Sequence, residues 1–271
     1  MNEDWRRTHE WGALTRADIA AARDAGALPV LPVGSVEQHG DHLPVDTDSV
    51  SAWRVALAAA LRCSDPHVLV LPPPNFGFSP HHRAFAGTIT LSLETFVGLV
   101  SDVAESLHRT GFRRLLVVNG HGGNQGPLTA ACTALVSRGL GVGFVNYFSP
   151  GEKQWLEKLP GAMPGVGHAC AYETAMQLAL RAPEEAELIG QRIRTLPPRL
   201  SASYLEGNAP DPLKPAGAAW AAIFPAGDVG YIGDPAAATA EAGLALLEET
   251  VAALARFYSE FAAVGLRVGA A

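Results

Sequence analysis

Charge is scarce in this 271-residue chain: 17% of its residues are Asp, Glu, Lys or Arg, and only Lys153, Lys158 and Lys214 are lysine. Against that, 48% are hydrophobic, a balance that excludes intrinsic disorder because enough apolar surface is available to offset the entropy of ordering the chain. With 27 acidic and 20 basic residues the net charge is −7, so no basic stripe is left to follow a nucleic-acid backbone. Cysteine is nearly absent as well. Cys63, Cys132 and Cys170 are odd in number and form no CxxC pair, which fits a reduced, cytoplasmic protein without a disulfide frame. No apolar run approaches the roughly 20 residues of a membrane span, and the polar start MNEDWRRTHEWG lacks the apolar stretch of an export signal. Neither a membrane nor a nucleic acid is expected as a partner.

Short apolar runs alternate with helix-length amphipathic segments. Strands are predicted at 27–33, 67–71, 113–118 and 141–147, and helices at 49–62, 92–107 (capped by Ser92 and ended by Gly111), 125–138, 171–180 and 236–261. This alternation implies βαβ units and a mostly parallel sheet covered on both faces, an α/β fold, with all of 1–271 in one domain. The stretch 196–219 holds five prolines and two glycines and reads as an ordered flap or a subunit contact rather than a boundary.

The residues able to do chemistry are concentrated. Six of nine histidines (His39, His42, His81, His82, His121, His168) fall in loops or turns, most of them just beyond a predicted strand. Ligands of open α/β sheets bind outside the carboxyl ends of the strands, so these loops can converge. GSVEQHGDHLPVDTDS (34–49) supplies Glu37, His39, His42, Asp46 and Asp48. Glu37 and His39 are two apart and share a side of an extended segment. Carboxylate with imidazole, and no thiol nearby, suits Zn²⁺ or Mn²⁺, although a solvated acidic loop has the same composition. In NGHGGN (119–124), glycines flank His121 and allow close backbone approach. A phosphate cradle is the competing reading there, but the P-loop lysine and the GxGxxG spacing are missing. In GHACAYETA (167–175), Glu173 opens a helix, where it could simply favour the dipole or act as a ligand, and His168 is a candidate proton carrier. GFSPHHRAFAGTITLS (77–92) offers His81, His82 and Arg83 as substrate contacts or as plain loop residues. No G-x-S-x-G elbow occurs, which disfavours a serine hydrolase, and Cys170 reads as a small buried thiol. The combined supply of carboxylates and imidazoles from several strand ends is what a two-metal hydrolase requires.

The runs PVGSVEQHGDHLPVDTDS, GFSPHHRAFAGTITLS, NGHGGN, HACAYET and GDVGYIGDPAAATAEAG, in that order along nearly the whole chain, resemble the creatininase (creatinine amidohydrolase) family. The resemblance implies a three-layer αβα sandwich and a dinuclear centre of zinc, manganese or iron that hydrolyses an amide-type C–N bond. It would place Glu37, Asp48 and His121 on one metal and His39, Asp48 and Glu173 on the other, with Asp48 bridging. A metal-bridging hydroxide would attack the amide carbon, and His168 would protonate the departing nitrogen. It also implies a homo-oligomer, often a hexamer, acting on a small amide or a short peptide.

Creatininases proper carry a tyrosine and a ligating glutamate where this chain has Gly122 and Gly123, an acidic residue in place of Gly167, and a tryptophan near Pro164. The NGHGGN form is similar instead to formamide deformylases and to the peptidase of mycofactocin maturation, which trims a dipeptide from a precursor's C-terminus. A binding protein that retains the fold without catalysis is the competing class.

Overall fold

The computed structural model describes residues 4–161, 165–199, 224 and 227–265. Four parallel strands, β1 (Leu28–Val33), β2 (Val68–Val70), β3 (Arg114–Asn119) and β4 (Gly141–Asn146), form a sheet in the order β2-β1-β3-β4. Helices α1 (Arg16–Asp24), α2 (Thr47–Arg62), α3 (Leu93–Arg109), α4 (Gln125–Ser137), α5 (Glu152–Leu156), α6 (Ala171–Leu180), α7 (Pro183–Ile193) and α8 (Ala240–Ala263) accompany it.

Strand periodicity of two divides the interior into two cores. Leu28 and Val30 of β1 and Leu116 and Val118 of β3 pack toward α2, α6 and α8, in a cluster with Val55, Met176 and Leu254. Leu31 and Val33, with Leu115 and Val117, face α3 and α4 and meet Phe96, Val100, Leu128 and Leu135. Both faces of β1 are buried along its whole length. That burial gives the continuous apolar run expected of a central parallel strand and makes the molecule a three-layer αβα sandwich.

Two prolines in a central strand need a physical reason, because each removes a ladder hydrogen bond. Leu28 N–H donates to His67 O (2.9 Å) and Leu71 N–H donates to Val30 O (2.8 Å), so the even-numbered residues of β1 address β2. Pro32 lies on that side, beyond the last β2 pair at Val30 and Val70. Pro29 lies on the other side, ahead of the first β3 pair at Val30 and Leu116. Each proline therefore stands at an end of the ladder it would otherwise interrupt.

The strands and α6 lie close to where the sequence predicts them. Two helix starts shift. Helix α2 starts two residues early, at Thr47. Helix α8 starts late, at Ala240, because Pro235–Ala237 forms a 3-10 turn and the Thr239 hydroxyl caps the helix by accepting from Ala242 N–H. Helices α1, α5 and α7 were not anticipated, although α1 carries a full capping box between Thr15 and Asp18 and α7 opens with Pro183. Of the proline-rich stretch 196–219, only Leu196 to Arg199 is described; there Arg199 pairs with Asp228 and bridges to Gly233. The rest of that stretch and Pro164 lie outside the described residues. Among the described residues no helix is long and apolar enough to cross a membrane.

Strand order reverses between β1 and β3, so the loops leaving their carboxyl ends diverge and open a crevice. Two glycines let α2 close on that point. A Cβ on Gly34 would overlap the Ser49 backbone and lie 2.7 Å from the Asp48 carbonyl carbon, and one on Gly120 would lie 2.5 Å from Asp48 O. Gly34→Ala is therefore expected to cost about 1–3 kcal/mol through overpacking. Gly98, inside α3 with nothing within 4 Å of an added Cβ, should instead gain up to ~1 kcal/mol on replacement by Ala. Urea titration of the two variants beside the parent checks both signs.

Candidate metal centre

Six segments deliver polar side chains to this crevice. The loop after β1 brings Glu37 and His39, the turn after β3 brings His121, and the first turn of α2 brings Asp48. The first turn of α6 brings Glu173, and the 3-10 turn Pro80–His82 after β2 brings His81 and His82. His168 arrives from the segment bridged to Ile232. Glu37, His39, Asp48, His82, His121 and His168 are all buried.

The second layer is made of asparagine amides and main-chain carbonyls. Asn119 Nδ2 donates to His121 O (2.6 Å) and its Oδ1 accepts from His121 N–H (3.2 Å), which fixes the turn. Asn124 Nδ2 donates to Gly34 O (3.0 Å) and its Oδ1 accepts from Phe78 N–H (2.9 Å), which ties the loops after β1 and β2 to the turn after β3. Ser35 Oγ donates to Glu37 Oε2 (3.2 Å) and also contacts Ser79 Oγ.

His39 Nδ1–H donates to Glu37 O (3.2 Å), so its Nε2 turns a lone pair toward Asp48 Oδ1, 3.2 Å away. His121 Nε2 faces Phe78 O (3.1 Å), and its Nδ1 lies 2.9 Å from Asp48 Oδ2. Two acceptors at such distances are stable only with a cation between them, either a proton or a metal ion. His39 Nε2 and Asp48 Oδ2 are also buried without a hydrogen bond. Donors around one ion with bonds of about 2.1 Å lie roughly 3.0–3.4 Å apart, which matches this spacing. Ligand atoms of Glu37, His39 and Asp48 lie within 4.8 Å of one another, as do those of His39, His168 and Glu173. Glu37 forms two further groups of that kind, one with His82 and His168 and one with His81 and His121. The set is all oxygen and imidazole nitrogen, a chemistry suited to zinc or manganese, so the residues fit a metal.

The electrostatics are those of a site whose cations are protons. Burial disfavours charge on His39, yet the Asp48 carboxylate outweighs it and holds the imidazole up at about 10. His121 is likewise held at about 9 against burial, by Glu37 and Asp48. Asp48 is kept well below the usual carboxylate range by those two rings despite its burial. Glu173 rises to about 7 and Glu37 is also raised, in both cases chiefly through burial. His168 goes the other way and stays neutral, because it is buried beside His39 and His82.

Other predicted residues have structural duties. His42 Nε2–H donates to Ala169 O (3.0 Å), at a residue held at φ 50° between His168 and Cys170. Asp46 pairs with Arg181. Asp48, expected in a loop, sits on a helix because α2 begins at Thr47. Glu173 combines both expectations: its Oε2 accepts from Cys170 N–H (3.3 Å) as a cap, while it also stands beside His39 and His168. Cys170 is a buried thiol pushed up to about 12 by burial, which removes it as a nucleophile. His81 is half-buried and stacks on His121 with an interplanar angle of 3°. Arg83 is exposed, and among the described residues its guanidinium makes no hydrogen bond or ion pair. Sequence reasoning missed Gln38, Ser35, Ser79 and Asn124. Their neutral side chains give no charge or metal-ligand signal, although Gln38 lies between two candidate ligands.

A family model described as creatininase (creatinine amidohydrolase) matches residues 12–258. The mycofactocin precursor peptide peptidase of Mycobacterium tuberculosis is 32% identical over 270 residues, covering 95% of this chain and 96% of that protein. The creatinine amidohydrolase of Pseudomonas putida is 34% identical over 116 residues, covering 41% of this chain and 44% of that protein. A solved structure titled creatininase Mn superposes with a TM-score of 0.74 at 26% identity, covering 93% of this chain and 98% of that one.

Because His39 and His121 hold protons at pH 7 that a metal must displace, metal uptake should release protons. Apparent affinity should rise as pH climbs toward 9–10 and weaken as it falls. Calorimetric titration in two buffers of different ionisation enthalpy checks the release, and Asp48→Asn should abolish tight uptake.

Proposed function

The chain belongs to the creatininase family, and from that premise we propose that it is a two-metal peptidase cleaving an amide bond near the end of a short peptide. As a member of this family it is an amidohydrolase of C–N bonds. The observation that carries the finer reading is the Asp48 carboxylate, which faces His39 with one oxygen and His121 with the other. One carboxylate between two imidazoles suits two adjacent ions: Glu37, Asp48 and His121 would hold one, and His39, Asp48 and Glu173 the other. When bound, such ions lower the pKa of water and polarise a carbonyl.

The side chains do the rest. His168 is kept neutral and turns Nδ1 toward Glu37 Oε1 (3.8 Å), where it can accept a proton and pass it to the departing nitrogen. Glu37 and His82 confine that proton to the crevice. The second oxygen of Glu173, not used by its cap contact, is left for a ligand role beside His39 and His168.

A peptide substrate is supported by sequence likeness to a precursor peptide peptidase over 95% of this chain, whereas the sequence match to the Pseudomonas putida creatinine amidohydrolase covers 41% of it. The bare turn after His121 agrees with it. A Cβ on Gly122 would meet nothing within 4 Å, which leaves room for an extended backbone. His81, half-buried beside His121, contacts the substrate in this reading, and the exposed Arg83 guanidinium receives its terminal carboxylate.

Short peptides with free or amidated C-termini, incubated with the zinc- or manganese-loaded protein and followed by mass spectrometry, test this. Metal-dependent release of a C-terminal fragment is expected. His168→Ala should keep its metal and turn over about 10²–10⁴ times more slowly. Arg83→Gln should raise KM for the free acid but not for the amide. Turnover of creatinine or of formamides, with none of any peptide, overturns the substrate.

A further inference from the structure

We infer that Gln38 is a positioning residue that fixes which ring nitrogen carries the proton in both His168 and His82. This rests on the reading of His168 as the proton carrier.

Gln38 is buried, and its amide has one possible orientation. Gly40 N–H donates to Oε1 at 2.9 Å, which only an oxygen can accept. A Cβ on Gly230, at φ +72°, would overlap that same oxygen, so the backbone at 230 closes the carbonyl side of the amide. Nε2, a donor only, must therefore face the histidines.

It lies 3.1 Å from His82 Nδ1. A donor there requires a bare Nδ1, so the His82 proton sits on Nε2, which is buried without a hydrogen-bond partner and lies 3.5 Å from Glu37 Oε1. His168 is governed by the main chain of the same residue. Its Nε2 lies 2.8 Å from Gln38 O, nearer than the 3.0 Å to Gln38 Nε2, and only a protonated Nε2 satisfies a carbonyl. Nδ1 of His168 is then bare and turned to the crevice. Donation runs from His168 to the Gln38 carbonyl, and separately from the Gln38 amide to His82. One residue with a donor and an acceptor thus readies His168 to take a proton and keeps the His82 proton on the ring nitrogen that faces Glu37 Oε1. His82 and His168 also stack, with ring centroids 4.3 Å apart.

The test is long-range ¹H–¹⁵N spectroscopy of the zinc-loaded protein with ¹⁵N-labelled histidine, the rings assigned through His82 and His168 variants. The parent should show both protons on Nε2. In Gln38→Glu, an acceptor replaces the donor, and His82 should gain a proton on Nδ1 while His168, held by the main chain, stays unchanged. In Gln38→Met, His82 should populate both tautomers. Both variants should lose about 10–100-fold in kcat at unchanged KM, since the substrate touches neither ring nitrogen involved. A parent His82 protonated on Nδ1, or His82 signals identical in parent and both variants, overturns the inference. Tautomers as described in a protein that cleaves no peptide would leave the role of Gln38 standing and remove the substrate reading instead.

Discussion

Taking a carboxylate out of water costs several kcal/mol unless cations or donors meet it, and Asp48 is only 4% exposed. Both of its oxygens are met by imidazoles, His39 on one side and His121 on the other. Those rings come from loops leaving different strands, so the carboxylate is also the point at which the ends of β1 and β3 are joined. Contacts of this one charge draw His39 and His121 together across the crevice, and glycine at 34 and 120 lets α2 bring it there. The same charge pulls two histidines far above their usual titration range, and a metal draws on that attraction when it replaces their protons.

Around this pair the protein assigns a direction to nearly every ring. His39 and His42 each give one N–H to a main-chain carbonyl, which leaves the other nitrogen with a known role. A carbonyl cannot titrate and cannot reverse its polarity, so it is a dependable way to orient an imidazole. The asparagines of NGHGGN do the equivalent for the backbone. Asn119 and Asn124 together hold three loop segments that share no secondary structure, and the site is rigid although most of it is loop.

The sequence made the sheet legible because β1 and β3 are apolar on both faces, a pattern that few other environments impose. It made the candidate ligands legible because carboxylates and histidines are rare and costly beyond a buried strand. Other features left no such trace. The start of α2 depends on where Asp48 must stand, so its boundary follows from tertiary structure and not from propensity. His42 and Asp46 look like ligands by composition, yet one props Ala169 and the other meets Arg181, and only the path of the chain separates them from His39 and Asp48. Gln38 was silent for a different reason: an uncharged amide in a polar loop gives no signal until its neighbours in space are known.

The contacts of Gly34 and Gly120 with the first turn of α2 are main chain against main chain, with no side chain between. Rotamer changes therefore cannot loosen the spacing of the ligands, and sequence drift cannot easily retune it, since any larger residue pushes the helix away. Variation is left to His81 and Arg83 in the loop after β2, since Asn75, Gly77, Phe78, Ser79 and His82 of that loop are tied to the frame. Such a division allows a lineage to exchange one amide for another by rewriting part of a single loop, while the machinery that breaks the bond is inherited unchanged.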